Sequence, residues 1–188
     1  MSHSFIKKLE KTPSHNFILI LTGIAAIITV IIYILMRPIE TSSYGTLDLE
    51  FAWTVNRINT IFDAWGSKII NQELNNTLLD YGFLVTYSSF FAGVTLLLTR
   101  KLLSGKIRLI GFYMTLVSFV AAIFDAIENL NLILMLTSPN NFPSFSPPLT
   151  SICATIKFGL LFLIILFWII SILWVLYNRF SGNNNEKK

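Results

Sequence analysis

Four long apolar runs constrain this chain more than any other feature of it. They occupy residues 17–36, 79–99, 109–137 and 149–177. A bilayer core of ~30 Å is crossed by ~20 residues of α-helix, and each run reaches that length. The third and fourth exceed it, so they are expected to tilt or to extend beyond the lipid. Of the 188 residues, 54% are hydrophobic and only 13% are charged. A soluble domain carries roughly 25% charged residues, so these charges are too few to cover a soluble surface. Bulk disorder is excluded by the same figures, because it needs low hydrophobicity and high net charge. The expected fold is all-α: an integral membrane four-helix bundle occupying 17–177, with a cytoplasmic N-terminal segment 1–16 and a polar cytoplasmic tail 178–188.

The first run has the basic flank of a signal peptide in Lys7, Lys8 and Lys11. Its apolar stretch is longer than the ~7–15 residues of a signal core. It ends in Met36-Arg37-Pro38 with no small-residue cleavage pattern. It therefore reads as a retained helix.

Several chemistries are excluded by counting. Cys153 is the single cysteine, so no intramolecular disulfide and no cysteine-built zinc or iron–sulfur site can form. His3 and His15 both precede the first run, which leaves no histidine inside the membrane as ligand or acid–base. There is no glycine-rich phosphate loop and no HExxH. No metal site and no cofactor are expected. The net charge of +4 resides in short clusters at the edges of the runs, where orientation explains it better than nucleic-acid binding.

Those clusters orient the chain. Lys7, Lys8 and Lys11, then Arg100, Lys101, Lys106 and Arg108, then Arg179, Lys187 and Lys188 fall on one side of a four-span topology. Arg37, Arg57 and Lys68 fall on the other, across a longer connection. The excess of Lys and Arg marks the cytoplasmic side, so both termini should be cytoplasmic. Trp168, Trp174 and Tyr177 would form an aromatic belt near the inner end of the fourth helix.

The first connection carries its own pattern. Leu47, Phe51, Val55, Ile58, Phe62 and Trp65 recur at helical spacing, with Asp48, Asn56, Asn59 and Asp63 elsewhere on the wheel. This predicts a short amphipathic outer-side helical segment over 46–77, lying on the interface or capping the bundle. Gly66 can end its first helix and Ser67 can cap a second short one. Trp53 and Trp65 read as interfacial anchors, and Cys153 as a small packing residue.

Ionisable residues inside the spans are the informative ones. Asp80 begins the second span, Asp125, Glu128 and Asn129 lie in the third, and Lys157 lies in the fourth. A charge at the bilayer centre costs ~2.5–3.5 kcal/mol on insertion scales, so each needs a partner, a cavity or a route to water. At ~1.5 Å per residue, Asp125 sits ~24 Å above Leu109 and Lys157 ~12 Å below Leu149. Asp80 enters from the outer surface. All of these fall in the outer part of the membrane. Asp125, Glu128 and Asn129 share a helix face by their i, i+3, i+4 spacing. Ser118, Ala122 and Ala126 beside that face would let a neighbouring helix approach. Thr22, Ala25, Ala26, Thr29 and Tyr33 would supply a matching face on the first helix.

The expected site is a pocket lined by Asp80, Tyr87, Asp125, Glu128, Asn129 and Lys157, with Glu50, Trp53 and Arg57 as its lid. Another reading stands beside it, in which Lys157 with Asp125 or Glu128 is a buried ion pair that holds helix register. Lys157 snorkelling to the interface is a third. Asp80 alone is also explained by a helix N-terminus, which favours a carboxylate. Three acids and one ammonium leave an excess of negative charge, so either a hard cation enters or a carboxyl group keeps its proton.

Two segments resemble a known pattern: Leu79-Asp80 with Phe83 and Tyr87 (LDxxFxxxY), and Asp125 with Glu128-Asn129 (DxxEN). Together with Leu49-Glu50 and Ala64-Trp65-Gly66, they are similar to an uncharacterised family of small four-span bacterial membrane proteins. The resemblance covers most of the chain. It implies the four-helix architecture and no chemistry, so it assigns no residue a role.

The leading functional expectation is a multi-pass protein of a bacterial inner (plasma) membrane, surrounded by the lipid bilayer, that binds a lipid-like or amphiphilic ligand in an outer-leaflet polar pocket. One alternative is a membrane enzyme on lipid or isoprenoid substrates, with Asp125 or Glu128 as acid–base and Lys157 stabilising negative charge. Another is a transporter or structural subunit that works with a membrane protein partner. Four spans without a repeat are few for a transporter acting alone.

Overall fold

The computed structural model describes residues 8–39, 43–102 and 104–182. The expectations resting on His3, Lys7, Lys187 and Lys188 lie outside the described residues. Among the described residues the chain is all-helical, and four helices are long and apolar enough to cross a membrane.

Helix α1 spans His15–Leu35, and the Ser14 hydroxyl caps it by accepting from the Phe17 N–H at 3.3 Å. It ends where Pro38 disfavours helical backbone at the preceding Arg37. The exit is then fastened to Gln72 and Asn76. The Arg37 N–H donates to Asn76 Oδ1 at 3.1 Å, and the Arg37 carbonyl accepts from Asn76 Nδ2 at 2.8 Å and Gln72 Nε2 at 3.2 Å.

Helix α2, Thr46–Glu50, is a single short helix. The chain turns through residues 51–54, and α3 runs Val55–Leu102, broken at Gly66. Gly66 has φ 64° and ψ 173°, a backbone region open essentially to glycine alone. The amphipathic segment is therefore not the continuous helix that its spacing suggests. The turn after Glu50 shifts the wheel, so Leu49 and Ala52 point inward while Leu47 and Phe51 face out. The piece after Gly66 is not short either. No proline follows Ser67 in this stretch, and it continues unbroken to Leu102, ~54 Å at ~1.5 Å per residue.

Helices α4, Gly105–Thr137, and α5, Ser146–Gly182, complete the bundle. Pro147 and Pro148 sit in the first turn of α5, where a missing N–H costs nothing. All three long helices exceed the length a bilayer core needs, and at one end α3 and α4 build a cap. There Ile58, Ile61, Phe62, Trp65 and Ile70 pack with Leu49 and with Leu132, Met135 and Leu136 of α4. This cap has an apolar core of its own. Trp65 is buried in it and donates from Nε1 to the Tyr44 carbonyl at 3.0 Å, so it is a core residue rather than an interfacial anchor. Trp53 does stand exposed.

Below the cap the helices approach through small residues. A Cβ on Gly93 would overlap the Thr22 side chain of α1, and one on Gly111 would overlap the Thr99 side chain of α3. Both threonine hydroxyls donate within their own helices, Thr22 to the Ile18 carbonyl and Thr99 to the Thr95 carbonyl, each at 2.7 Å. Close contact thus leaves no orphaned donor. At the end away from the cap, the Arg100 guanidinium donates to the carbonyls of Leu9, Thr12 and Pro13. Trp168 turns inward instead of joining a belt. It stacks on Phe91 at 4.9 Å and donates to Thr95 Oγ1 at 2.8 Å. Trp174 and Tyr177 are exposed. Buried Cys153 is a packing residue.

Candidate functional site

The site is built from stripes at helical spacing. On α3, Glu73, Thr77, Asp80 and Tyr87 fall on one face. On α4 the face is Asp125, Glu128 and Asn129, continued by Leu132. Lys157 comes from α5 and Glu50 from the end of α2.

Lys157 is the hub. Its Nζ lies 2.9 Å from Glu128 Oε1, 3.1 Å from Asp125 Oδ1 and 3.8 Å from Glu50 Oε2. The Tyr87 hydroxyl donates to the second oxygen of Asp125 at 2.8 Å. Asn129 Nδ2 donates to Asp80 Oδ2 at 2.6 Å. All six residues expected to line the pocket are thus brought into two adjoining hydrogen-bonded groups. Asp125 and Glu128 are almost wholly buried, and Lys157 is 6% exposed. A buried lysine among carboxylates cannot be snorkelling to water.

Beside these groups is a cavity of about 710 Å³, within the usual range for small-molecule sites. Asp80, Tyr87, Asp125, Asn129 and Lys157 line it, whereas Glu128 sits behind Lys157 and off the wall. Of the three expected lid residues, only Glu50 reaches the cavity. Trp53 and Arg57 do not. The Arg57 guanidinium lies 3.6 Å from Asp48 and over the Tyr44 ring at 4.6 Å, and Trp53 projects outward. The backbone of Trp53 still matters. It adopts φ 60°, strained for a non-glycine residue. Its N–H donates to Ser151 Oγ at 3.0 Å, and Ser151 Oγ donates to the Glu50 carbonyl at 2.8 Å. These two hydrogen bonds tie the turn after Glu50 to α5. Burial pushes the Glu50 carboxyl above the usual range, against the opposing pull of Lys157.

The structure also brings in residues the pocket expectation omitted. Glu73 is 1% exposed and lines the cavity, accepting from Asn76 Nδ2 at 3.2 Å. Its signal was in the sequence, seven residues before Asp80 and so on the same helical face. Arg37 and Pro38 lie at the rim. Phe83, Phe90, Phe91 and Phe158 line the walls, and no spacing rule distinguishes them from lipid-facing phenylalanines.

The cavity is graded along the helices. Glu73, Asn76, Thr77 and Asp80 stand toward the cap, and Tyr87, Phe90 and Phe91 stand farther down α3. Its α1 wall includes Thr29 and Tyr33. Helix α1 packs chiefly on α3, and α5 packs on α4, with at most marginal contact between α1 and α5. The cavity therefore lies beside a gap in the bundle's outer surface. Among the described residues no group of three or more His, Cys, Asp or Glu is placed to hold a metal ion.

Comparison with protein-family models, curated proteins and solved structures finds no match to this chain.

Proposed function

We propose that this chain is a multi-pass protein of a bacterial plasma membrane that takes a lipid-like or amphiphilic ligand into the cavity from the outer leaflet. The observation that carries the reading is the graded cavity beside the α1–α5 gap, polar toward the cap and aromatic below. An amphiphile has that same order, head group toward water and chain toward lipid. The excess of Lys and Arg at the end away from the cap supports cytoplasmic termini and an outer-facing cap. The resemblance to small four-span bacterial proteins rests on residues that meet at this site, Asp80, Tyr87, Asp125, Glu128 and Asn129. A partner subunit is not required by this reading.

The enzyme alternative needs Lys157 free to stabilise negative charge. Lys157 already has three carboxylates around it, so the geometry favours binding over that chemistry.

The test is native mass spectrometry of the protein extracted in mild detergent. One bound amphiphile per chain is expected. Thr29→Trp, which fills the cavity from α1, should release it while the helical circular dichroism of the protein is unchanged. An empty wild type, or a ligand retained unchanged by the folded Thr29→Trp variant, would overturn the proposal.

A further inference from the structure

Resting on the reading of the cavity as an amphiphile site, we infer that the head group it accepts is a cation, an ammonium rather than a phosphate. The wall carries Glu50, Glu73, Asp80 and Asp125 against Lys157 and, at the rim, Arg37. Lys157 is not available to an anion, because Asp125 and Glu128 already hold its ammonium at 3.1 Å and 2.9 Å. Asp80 accepts from the Asn129 amide, and Glu73 from the Asn76 amide and the Thr46 side chain, all of them neutral donors. Neither has an ion-pair partner among the described residues. Glu50, only 9% exposed, has the Glu128 carboxyl beside its own, and its lysine neighbour stands off at 3.8 Å. Negative charge in a poor solvent is stabilised by a cation, and an entering phosphate would meet repulsion instead.

The aromatic wall is independent support. Phe83, one turn from Asp80 on α3, and Tyr33 of α1 line the polar end of the cavity, whereas Phe90 and Phe91 stand lower, where the chain would lie. Ring faces attract ammonium groups, and aromatic walls with nearby carboxylates are the usual way proteins hold alkylated ammonium ions. Lys157 already demonstrates the preference, its Nζ lying 4.6 Å from the Phe158 ring centroid.

The shared chemistry is an ammonium on an apolar chain, from either a phospholipid head group or a free long-chain amine. The test titrates the full chain in maltoside detergent with dodecylamine, a short-chain phosphatidylethanolamine and dodecyl phosphate, read by intact-complex mass spectrometry and thermal shift. At least one amine probe should bind about tenfold or more tighter than dodecyl phosphate, and the tighter of the two amines identifies the source. Asp80→Asn should weaken that amine by about tenfold and leave dodecyl phosphate no weaker than before. Glu73→Gln is the second variant should Asp80→Asn not fold. Dodecyl phosphate binding as tightly as the amines would overturn the head-group assignment while sparing the amphiphile reading. No binding by any probe, with no copurifying lipid, would remove both.

Discussion

Lys157 Nζ lies 2.9 Å from Glu128 Oε1, and the two residues stand on different helices, 29 positions apart. The pair joins α5 to α4 in the interior, and Asp125 at 3.1 Å doubles the joint. This part of the cluster is scaffold as much as site. Replacing Lys157 with Met should leave Asp125 and Glu128 buried without a counter-charge, a loss of ~3–5 kcal/mol. Denaturant or thermal unfolding in detergent measures it. Adding Asp125→Asn and Glu128→Gln to Lys157→Met should recover much of the loss, because the stranded charges go with their partner. A Lys157→Met protein that melts with the wild type would show that the cluster holds nothing together.

The glycines separate into two kinds, and alanine substitution should give opposite signs. At Gly93 a methyl group meets the Thr22 side chain, so Gly93→Ala must push α1 from α3 and lower the unfolding midpoint. At Gly159 nothing lies within 4 Å. There Gly159→Ala should stabilise by ~0.5–1 kcal/mol through helix propensity alone. The two midpoints, compared in one detergent, decide the matter. Equal shifts of the same sign would contradict the close approach of α1.

Gly66 makes a different demand. Its φ of 64° and ψ of 173° let the cap helix turn into the long arm of α3. No atom crowds the position, so the cost of Gly66→Ala is purely conformational, ~1–3 kcal/mol. Chemical denaturation should find that loss, and limited proteolysis should find it concentrated in residues 46–70. A neutral Gly66→Ala would mean that the helix passes straight through.

Glu50 sets a pH dependence. Burial raises its carboxyl above the ordinary value of 4.5, with Lys157, Asp125, Glu128 and Glu73 as its charged neighbours. The folded chain then holds the Glu50 proton more tightly than the unfolded chain. The resulting stability is fully present below pH 4.5 and is lost as pH rises through the raised folded value. The midpoint difference between wild type and Glu50→Gln should therefore move in favour of wild type on acidification toward pH 4.5. A difference that moves the other way, toward wild type as pH rises, would mean that Lys157 dominates over burial.

Much of the architecture was legible because it follows from solvent. Residues 17–36, 79–99, 109–137 and 149–177 are too apolar for water and long enough for lipid, so four helices follow from length and hydropathy. The grouping of Asp80, Tyr87, Asp125, Glu128, Asn129 and Lys157 was also legible, since rise per residue places them at one depth and burial requires partners. Which partner each one takes was not. Tertiary packing decided that Lys157 lies between Asp125 and Glu128, that Asp80 takes Asn129, and that Glu73 joins the wall.

The cap shows the same division. Gly66 as a breaking point is local backbone physics and could be read from one residue. The turn at 51–54 could not. It depends on Ser151, 98 positions from Trp53, accepting from one backbone group and donating to another. In this turn Glu50 lines the cavity, and Trp53 and Arg57 do not. Periodicity reports which face of a helix is apolar, but contacts distant in sequence decide the turn at 51–54 and what each helix's neighbour presents. The sequence by itself therefore determined that four helices are long and apolar enough to cross a membrane, and that the ionisable residues share one level along them. The tertiary structure alone decided the pairing, the cavity and the cap, because each depends on side chains brought together across different helices.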